Sequence, residues 1–311
     1  MLLILSEQND EVTNRIIEWL DFYKKEWARV NYEDDVRLSY FSLTANGIEF
    51  ELLVNHETTL HSKEIDRFWY RRGEINFDLK IGEDAHYDAG IREWLFRENT
   101  TIVDCIYHHL DSLKSINKPS DNDINKLIVL VEAQKVGFKI PDSWVVDRKE
   151  KLPYRPSYIS KGLSFTGFRA SDGQFYSAGT ISGEGGQDEF SYSLFQEEIK
   201  KWVEVRTFHL DGENHSVSIF SQNNQQTKLD FRNYDRERPN RVIPFTLPHE
   251  IECKLNELMK VLSLDSGSID LIVDQNGDYY FLEVNPIGQF LQVSNPGGYY
   301  LEEKIAKKLM A

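Results

Sequence analysis

The segment Gly267–Gln289, GSIDLIVDQNGDYYFLEVNPIGQ, constrains the fold more than any other part of the sequence. Two runs of alternating apolar and polar residues flank Asn276-Gly277, the residue pair most typical of a type I′ turn. With those two residues as the loop, Asp270 lies directly opposite Glu283, and Asn285 points to the same face. We therefore predict a β-hairpin that carries two carboxylates and an amide on one face.

The other face of this predicted hairpin is apolar and fixes the register against a core. Its members are Ile269, Leu271, Val273, Tyr280, Leu282 and Val284. On the polar face, two like charges set opposite each other destabilise a sheet unless a cation compensates them. Carboxylate and amide oxygens suit Mg²⁺ that also holds nucleotide phosphates. A solvated acidic strand face is the alternative, but the opposed charges favour a metal site made by Asp270, Glu283 and Asn285.

Elsewhere the spacing of apolar residues predicts strands that alternate with helices, which is an α/β pattern. Strands are predicted over 2–5, 36–43, 48–54, 65–72 and 158–161, and helices over 12–23, 87–109 and from 123 to Gly137. A second hairpin, 202–221, turns at Asp211-Gly212. The polar, proline-containing stretch 115–123 predicts the first domain boundary.

Composition narrows the class of protein. The chain has 36 basic and 51 acidic residues, for a net charge of −15, which disfavours nucleic-acid and anionic membrane partners. No apolar run is long enough to span a membrane. Cys105 and Cys253 are far apart in sequence, which disfavours a disulfide framework or a zinc site. We expect a cytoplasmic protein that binds neither nucleic acid nor membrane.

Several basic and acidic residues outside the hairpin are candidates for ligand binding. Lys126 begins a predicted helix and Lys161 ends a predicted strand, while the segment 194–199 could offer backbone hydrogen bonds to a base. A basic stretch, 228–233, follows the second hairpin. For Arg236 and Arg238, just beyond it, surface salt bridges are the simpler interpretation. The glycine-rich run 182–187 is either a permissive loop or a phosphate lid.

Taken in order, Lys126, Lys161, FQEEI, EVR, DFRN, SIDLI and FLEVNP resemble the motifs of the ATP-grasp superfamily. Within it, the stretches FWYRR, SINKP, SQNNQQTKLDFRNYDRERPNR and FLEVNPIGQF look most like the grasp-with-spasm peptide maturases. Those enzymes make graspetides by closing side-chain esters or amides in a ribosomal peptide. The resemblance covers nearly the whole chain.

The resemblance implies an α/β ATP-grasp fold of three subdomains that uses ATP and Mg²⁺. These are a preATP-grasp-like domain (1–118), a small central domain (119–190) and a C-terminal mixed or antiparallel sheet domain with the metal hairpin (191–311). It implies ATP-binding roles for Lys126, Lys161, Lys228, the hinge Phe195–Ile199 (with Gln196, Glu197, Glu198 and Ile199) and the ribose carboxylate Glu204. It also implies that Arg206 and Arg232 face the phosphates and the activated carboxylate.

The implied activity is phosphorylation of an Asp or Glu side chain of a precursor peptide, followed by attack of a Thr, Ser or Lys side chain on the acyl phosphate. The implied partners are that peptide, with its leader and core, and a second copy of the chain in a homo-oligomer, most simply a dimer. A ligase that adds glutamate or another amino acid to a protein or peptide end is one alternative. A nucleotide-binding scaffold without turnover is another, which the presence of both lysines and all three metal ligands disfavours.

Overall fold

The computed structural model describes residues 1–77, 89–164, 168–169, 175–176, 180–183 and 188–311. They form two compact units, one of Met1–Asn122 with Tyr300–Ala311 and the other of Asp123–Tyr299. The two units meet in the sequence at 122/123, and the last helix belongs to the N-terminal unit. The division into three domains, with boundaries at 118/119 and 190/191, stays a prediction.

The strands and helices follow one another in the order β1 (Leu2–Ser6), α1 (Glu11–Phe22), β2 (Trp27–Asn31), β3 (Val36–Thr44), β4 (Gly47–Val54), β5 (Thr58–His61), β6 (Arg67–Tyr70), α2 (Ala89–Asp111), β7 (Lys114–Ile116), α3 (Lys126–Lys135), β8 (Ser143–Arg148), β9 (Tyr158–Lys161), β10 (Phe168–Arg169), β11 (Phe175–Tyr176), β12 (Ile181–Ser182), β13 (Glu189–Glu197), β14 (Lys201–Leu210), β15 (Glu213–Phe220), β16 (Arg241–Phe245), α4 (His249–Val261), β17 (Ser266–Asp274), β18 (Tyr279–Asn285), α5 (Leu291–Gly297) and α6 (Leu301–Met310). No helix among the described residues combines the length and apolar character needed to cross a membrane.

The N-terminal unit is built on a parallel sheet with the strand order β2-β1-β6-β7. β1 is apolar and buried along its length, as expected of a central parallel strand that is covered on both faces. Asp10 caps α1 by accepting from the Thr13 backbone N–H, and it also pairs with Arg71 at the end of β6. A second, antiparallel sheet, β3-β4-β5, completes the unit, so the predicted α/β opening is confirmed.

The second unit contains a four-stranded sheet, β12-β9-β13-β8, and a five-stranded sheet, β16-β15-β14-β17-β18. The predicted boundary at 190/191 falls inside β13, which pairs with both β8 and β9. The hinge residues Phe195, Gln196 and Glu197 therefore belong to the smaller sheet. The β14–β15 turn is confirmed, since Asp211 (φ 49°) and Gly212 (φ 87°) are both left-handed, as a type I′ turn requires.

One face of the five-stranded sheet packs on α3 and α4. Ile269, Leu271 and Val273 of β17 lie in this core with Val129 of α3 and Leu255 of α4. Because side chains alternate along a strand, Asp270 between them points to the opposite face. The apolar pattern of β17 therefore decides which face of the sheet carries the polar residues.

The β17–β18 hairpin differs from the predicted one in its turn and in part of its register. The Asp274 N–H donates to the Asp278 carbonyl, so three residues, 275–277, form the loop, with Gly277 (φ 85°) left-handed. A bulge at Leu282 then shifts the pairing by one residue, so that Leu271 faces Phe281 while Asp270 still faces Glu283. Phe281 and Tyr279 pack towards the core, in place of the predicted Leu282 and Tyr280.

Candidate active site

Asp270 and Glu283 lie directly opposite each other on β17 and β18, as predicted, and the side chain of each is 12% exposed. The sequence predicts a repulsion between them that a metal ion relieves. In the structure, basic side chains already compensate the two carboxylates. The site is therefore a cluster of alternating charges.

Arg206 lies opposite Asp270 on the other side, as its direct partner on β14. Its Nη1 donates to both carboxylate oxygens of Asp270, at 2.7 Å and 3.1 Å, and its Nη2 donates to the Gln289 carbonyl at 3.2 Å. The guanidinium also stands over the Phe231 ring, 5.7 Å from its centroid. Arg206 thus holds Asp270 and the chain after β18, and a role towards phosphates stays a prediction.

Burial raises the pKa of Asp270 above its ordinary value, Arg206 opposes this effect, and the Glu283 charge adds to it. For Glu283 burial acts in the same direction, but the positive charges of Lys161, Arg232 and Lys126 outweigh it and hold the pKa low. The two opposed carboxylates are therefore electrostatically different. Glu283 is the one kept ionised by surrounding cations.

Arg232 reaches Glu283 from the loop between β15 and β16. Its Nη1 donates to Glu283 Oε1 at 3.1 Å, while Nε and Nη2 donate to Asp230 at 2.9 Å and 2.8 Å. Burial works against the charge, yet these carboxylates raise the pKa of Arg232. Its side chain is 44% exposed, so the oriented guanidinium fork remains accessible to a ligand.

The two predicted phosphate lysines converge on the same carboxylate. Asn125 caps α3 and so places Lys126 at its first turn, where Nζ lies 4.0 Å from Glu283 Oε2 and donates to the Gly162 carbonyl at 3.3 Å. Lys161 ends β9. Burial lowers the pKa of both lysines, and the Glu283 charge opposes that shift. Lys126 therefore lies beside the hairpin, and Lys161 interacts with Glu283 electrostatically. The ATP-binding roles of both lysines stay predictions.

Glu204, predicted as the ribose ligand, lies in a separate buried pair. Its Oε1 accepts from Lys201 Nζ at 2.8 Å and from the Ser221 hydroxyl. Burial raises the pKa of Glu204, while Lys201 opposes the shift. The ribose role stays a prediction, since Glu204 already has two donors.

The hinge residues use much of their hydrogen-bonding capacity within the smaller sheet. Gln196 is buried and donates from Nε2 to Ser143 Oγ at 2.9 Å. The backbone N–H groups of Glu197 and Glu198 donate to the carbonyls of Asp142 and Ser157. Adenine binding through this segment, which Ile199 ends, stays a prediction.

Two further predicted residues lie at the margin of the described site. Lys228 is exposed, and among the described residues no ion pair or hydrogen bond links its ammonium to the charged cluster. Asn285, exposed at the end of β18, faces Ser268. Residues 184–187 of the glycine-rich run lie outside the described residues.

The donor set of the hairpin fits Mg²⁺ in its chemistry, because all three groups offer hard oxygens. Among the described residues, no three of His, Cys, Asp and Glu come together as candidate metal ligands. A site made by Asp270 and Glu283 therefore needs the neutral Asn285 as its third protein ligand. That ligand set stays a prediction.

Sequence reasoning missed Lys201 and Asp230, which hold Glu204 and Arg232. A bulge between Lys201 and Val203 lets the lysine reach its carboxylate three residues on. Asp230 stands two residues before Arg232 in the DFRN motif, and the Arg232 N–H donates to the same carboxylate at 3.0 Å. The two-residue spacing of Asp230 and Arg232 was the sequence feature from which this pairing could have been predicted.

No protein-family model and no curated protein matches the sequence, but solved structures match over the whole chain. The macrocyclase MdnC of Microcystis aeruginosa, solved with precursor peptide MdnA, matches with a TM-score of 0.78 and 22% identity over 100% of this chain and 99% of that one. A RiPP-associated ATP-grasp ligase of Chryseobacterium gregarium, solved with ADP and a leader and core peptide, matches with a TM-score of 0.75 and 25% identity over 99% and 94%.

The D-alanine–D-alanine ligase of Bacillus anthracis, solved with ATP, matches less well, with a TM-score of 0.54 and 14% identity over 100% and 96% of the two chains. The chain therefore has the ATP-grasp fold, which confirms the predicted fold class. Its better-matching neighbours are a peptide macrocyclase and a RiPP-associated ligase, the subgroup that the sequence resembles.

Proposed function

We propose that this protein is an ATP-dependent ligase that closes ester or amide links within a ribosomal precursor peptide. It would activate Asp or Glu side chains of the peptide as acyl phosphates, and Thr, Ser or Lys side chains would then displace phosphate. The full-length match to MdnC and to the Chryseobacterium ligase supports this function. So does one observation on the site: Lys126, Lys161 and Arg232 all act on Glu283, opposite Asp270.

The cluster suits phosphoryl transfer because that reaction needs fixed positive charge more than a protein nucleophile. Lys126 and Arg232 present cations whose positions are held by the Gly162 carbonyl and by Asp230. The side chain of Arg232 is 44% exposed and that of Lys126 is 13% exposed. Such preorganised donors stabilise charge as it develops on the transferring phosphoryl group. Arg206 acts as a positioning residue, since it orients Asp270.

Asp270, Glu283 and Asn285 would hold Mg²⁺, which when bound supplies charge neutralisation for the nucleotide phosphates. The remaining rate enhancement would come from holding the carboxyl and the attacking side chain of the peptide next to each other. Glu283 must exchange part of its contact with Lys126 and Arg232 when nucleotide enters. Lys126 and Arg232 would then contact phosphate oxygens.

The test is incubation with ATP, Mg²⁺ and a candidate precursor, a short peptide with repeated Thr or Lys and Asp or Glu from a neighbouring reading frame, followed by mass spectrometry. We expect the peptide to lose the mass of one water per linkage while ADP is released. A gain of amino-acid residues when free glutamate is supplied would establish the amino-acid ligase instead. Binding of ATP without ADP release with any peptide would establish the scaffold. Light scattering on the same samples tests the proposed dimer.

A further inference from the structure

Residues 221–240, which connect β15 to β16, form a long loop that is ordered by its own side chains. The stretch near Arg232 contributes to the charged site, while the two ends of the loop lie elsewhere. Those ends enclose a cavity of about 600 Å³ with Phe220 and Arg241 of the adjoining strands. The proposed reaction does not use this cavity, although all of its lining residues except Phe220 lie within the motif SQNNQQTKLDFRNYDRERPNR.

One set of lining residues forms a rigid frame. Asn224 Nδ2 donates to Asp235 Oδ2 at 2.8 Å, and Asp235 Oδ1 accepts from the backbone N–H groups of Glu237 and Arg238. Asn240 Oδ1 accepts from the buried Thr227 hydroxyl at 2.8 Å. The backbone hydrogen bond from Arg238, with the Asn224 amide, holds the pKa of Asp235 low. The one carboxylate in the wall is therefore occupied.

A second set of lining residues is available to a ligand. Within the described ranges, the side chains of Asn223, Gln225, Arg238 and Arg241 make no hydrogen bond or ion pair, and all four are exposed. A surface salt bridge is the simpler prediction for Arg238. Its charge helps to lower the pKa of Asp235, but among the described residues no salt bridge joins its side chain to a carboxylate. Two guanidinium groups line this cavity, and Asp235 is the one carboxylate among its described lining residues. This excess of positive charge is unexpected in a chain of net charge −15, and it indicates an anionic ligand.

The neighbouring strand indicates the shape of that ligand. β16 is an edge strand of the five-stranded sheet, and its first residue, Arg241, lines the cavity. An edge strand can pair with an extended chain, and side-chain amides such as those of Asn223 and Gln225 can hydrogen-bond to a peptide backbone. Amides and arginines together match a peptide that carries carboxylates.

We propose that this cavity binds an extended, acidic segment of the substrate peptide, apart from the residues being joined. The proposal rests on the proposed function, because it takes the peptide as the substrate. Arg238 and Arg241 pair with Asp or Glu side chains of the segment, and Asn223 and Gln225 contact its backbone. The same loop carries Arg232, so a peptide seated here is tethered to the loop that reaches the charged site.

The test is a binding titration by fluorescence anisotropy with the intact protein. The probe is a short fluorescein-labelled peptide of alternating glutamate and serine, and its glutamine counterpart is the uncharged control. The double variant Arg238→Gln/Arg241→Gln should bind the acidic probe about five- to tenfold more weakly, the loss expected for two charge-assisted pairs near a surface. The variant Arg236→Gln/Lys260→Gln removes the same charge from exposed residues outside the cavity, and we expect a change of less than about twofold.

Equal losses in the two double variants would overturn the proposal, because long-range charge alone would explain them. Equal affinity of wild-type protein for the glutamate and glutamine probes would overturn it as well. A further outcome is that tripolyphosphate displaces the probe as readily as an unlabelled glutamate peptide does. If that displacement is lost in Arg238→Gln/Arg241→Gln, the cavity is a phosphate site and the proposal is wrong.

Turnover separates this proposal from the proposed function. With the encoded precursor, Arg238→Gln/Arg241→Gln should raise KM and leave kcat near the wild-type value, since the cavity positions no reacting atom. Absence of cyclisation by the wild-type protein would contradict the proposed function and leave the binding result intact. Normal KM in the double variant, with cyclisation active, would contradict the cavity proposal alone.

Discussion

Arg206 Nη1 lies 2.7 Å and 3.1 Å from the two carboxylate oxygens of Asp270, and the two residues are direct partners across β14 and β17. Asp270 in turn faces Glu283 across β17 and β18. A cation and two carboxylates therefore occupy adjacent positions on one face of the sheet. The Arg206 charge therefore offsets part of the repulsion between the two buried carboxylates.

Replacing Arg206 with Gln should destabilise the protein strongly. It leaves the buried Asp270 carboxylate without its cationic partner on β14 and next to the like charge of Glu283 on β18. We expect a loss of about 3–5 kcal/mol in the free energy of unfolding at neutral pH, the range for breaking a buried ion pair. Urea unfolding of the nucleotide-free protein measures it. Arg206→Lys keeps the charge and should recover part of the loss.

The pH dependence of that loss has a definite sign. The pKa of Asp270 is already raised by burial, and removal of Arg206 raises it further. A carboxyl whose folded pKa exceeds its unfolded pKa of about 4 loses stability as the pH rises through that window. The difference between wild type and Arg206→Gln should therefore shrink at acidic pH. A constant difference would mean that the lost packing on Phe231 matters more than charge.

Replacing Glu283 with Gln should abolish ADP production and also lower the stability of the nucleotide-free protein. Opposed carboxylates by themselves suggest relief of repulsion, but Lys126, Lys161 and Arg232 depend on this charge. We expect a loss of about 1–3 kcal/mol. Glu250→Gln breaks an exposed pair with Lys254 and should leave the free energy of unfolding nearly unchanged. Unchanged or increased stability of Glu283→Gln would contradict this prediction, because relief of burial and of repulsion from Asp270 would then outweigh the lost pairing with the cations.

Replacing Arg232 with Gln should impair phosphoryl transfer more than nucleotide binding. The guanidinium is oriented by Asp230 and is still accessible, so its main effect falls where charge develops during the reaction. Single-turnover ADP release should fall about a hundredfold or more, the usual cost of one preorganised donor. Arg236→Gln, in the same loop, is the control. Parallel losses in nucleotide affinity and rate would mean that Arg232 only holds ATP.

Replacing Asp10 with Asn should destabilise the N-terminal unit through Arg71. Burial opposes ionisation of Asp10, but Arg71, Thr13 and Arg72 outweigh it and hold the pKa of Asp10 low. The ionised Asp10 therefore stabilises the folded protein above about pH 4, and this stabilisation is lost as the pH falls. We expect a cost of about 3 kcal/mol or more at neutral pH, because the Arg71 charge stays buried. The cost should diminish in acid. Asp66→Asn, which removes an exposed pair with the N-terminus, should show little change.

The sequence by itself determined the hairpin and its polar face. Alternation has a period of two, so the buried Ile269, Leu271 and Val273 leave no choice about where Asp270 points. Motif order was also sufficient to predict the ATP-grasp fold. Both inferences depend on local pattern, which a single chain displays directly.

The tertiary structure decided the details that involve distant segments. The loop has three residues and Leu282 bulges, since the Phe281 N–H donates to the Lys139 carbonyl at 2.8 Å and Phe281 fills the core. Partner choice was equally non-local: Arg206, Arg232 and Lys126 come from three separate elements to reach Asp270 and Glu283. How far one charge compensates another depends on the distance between the two groups and on their burial. Neither quantity follows from how far apart the residues are in the sequence.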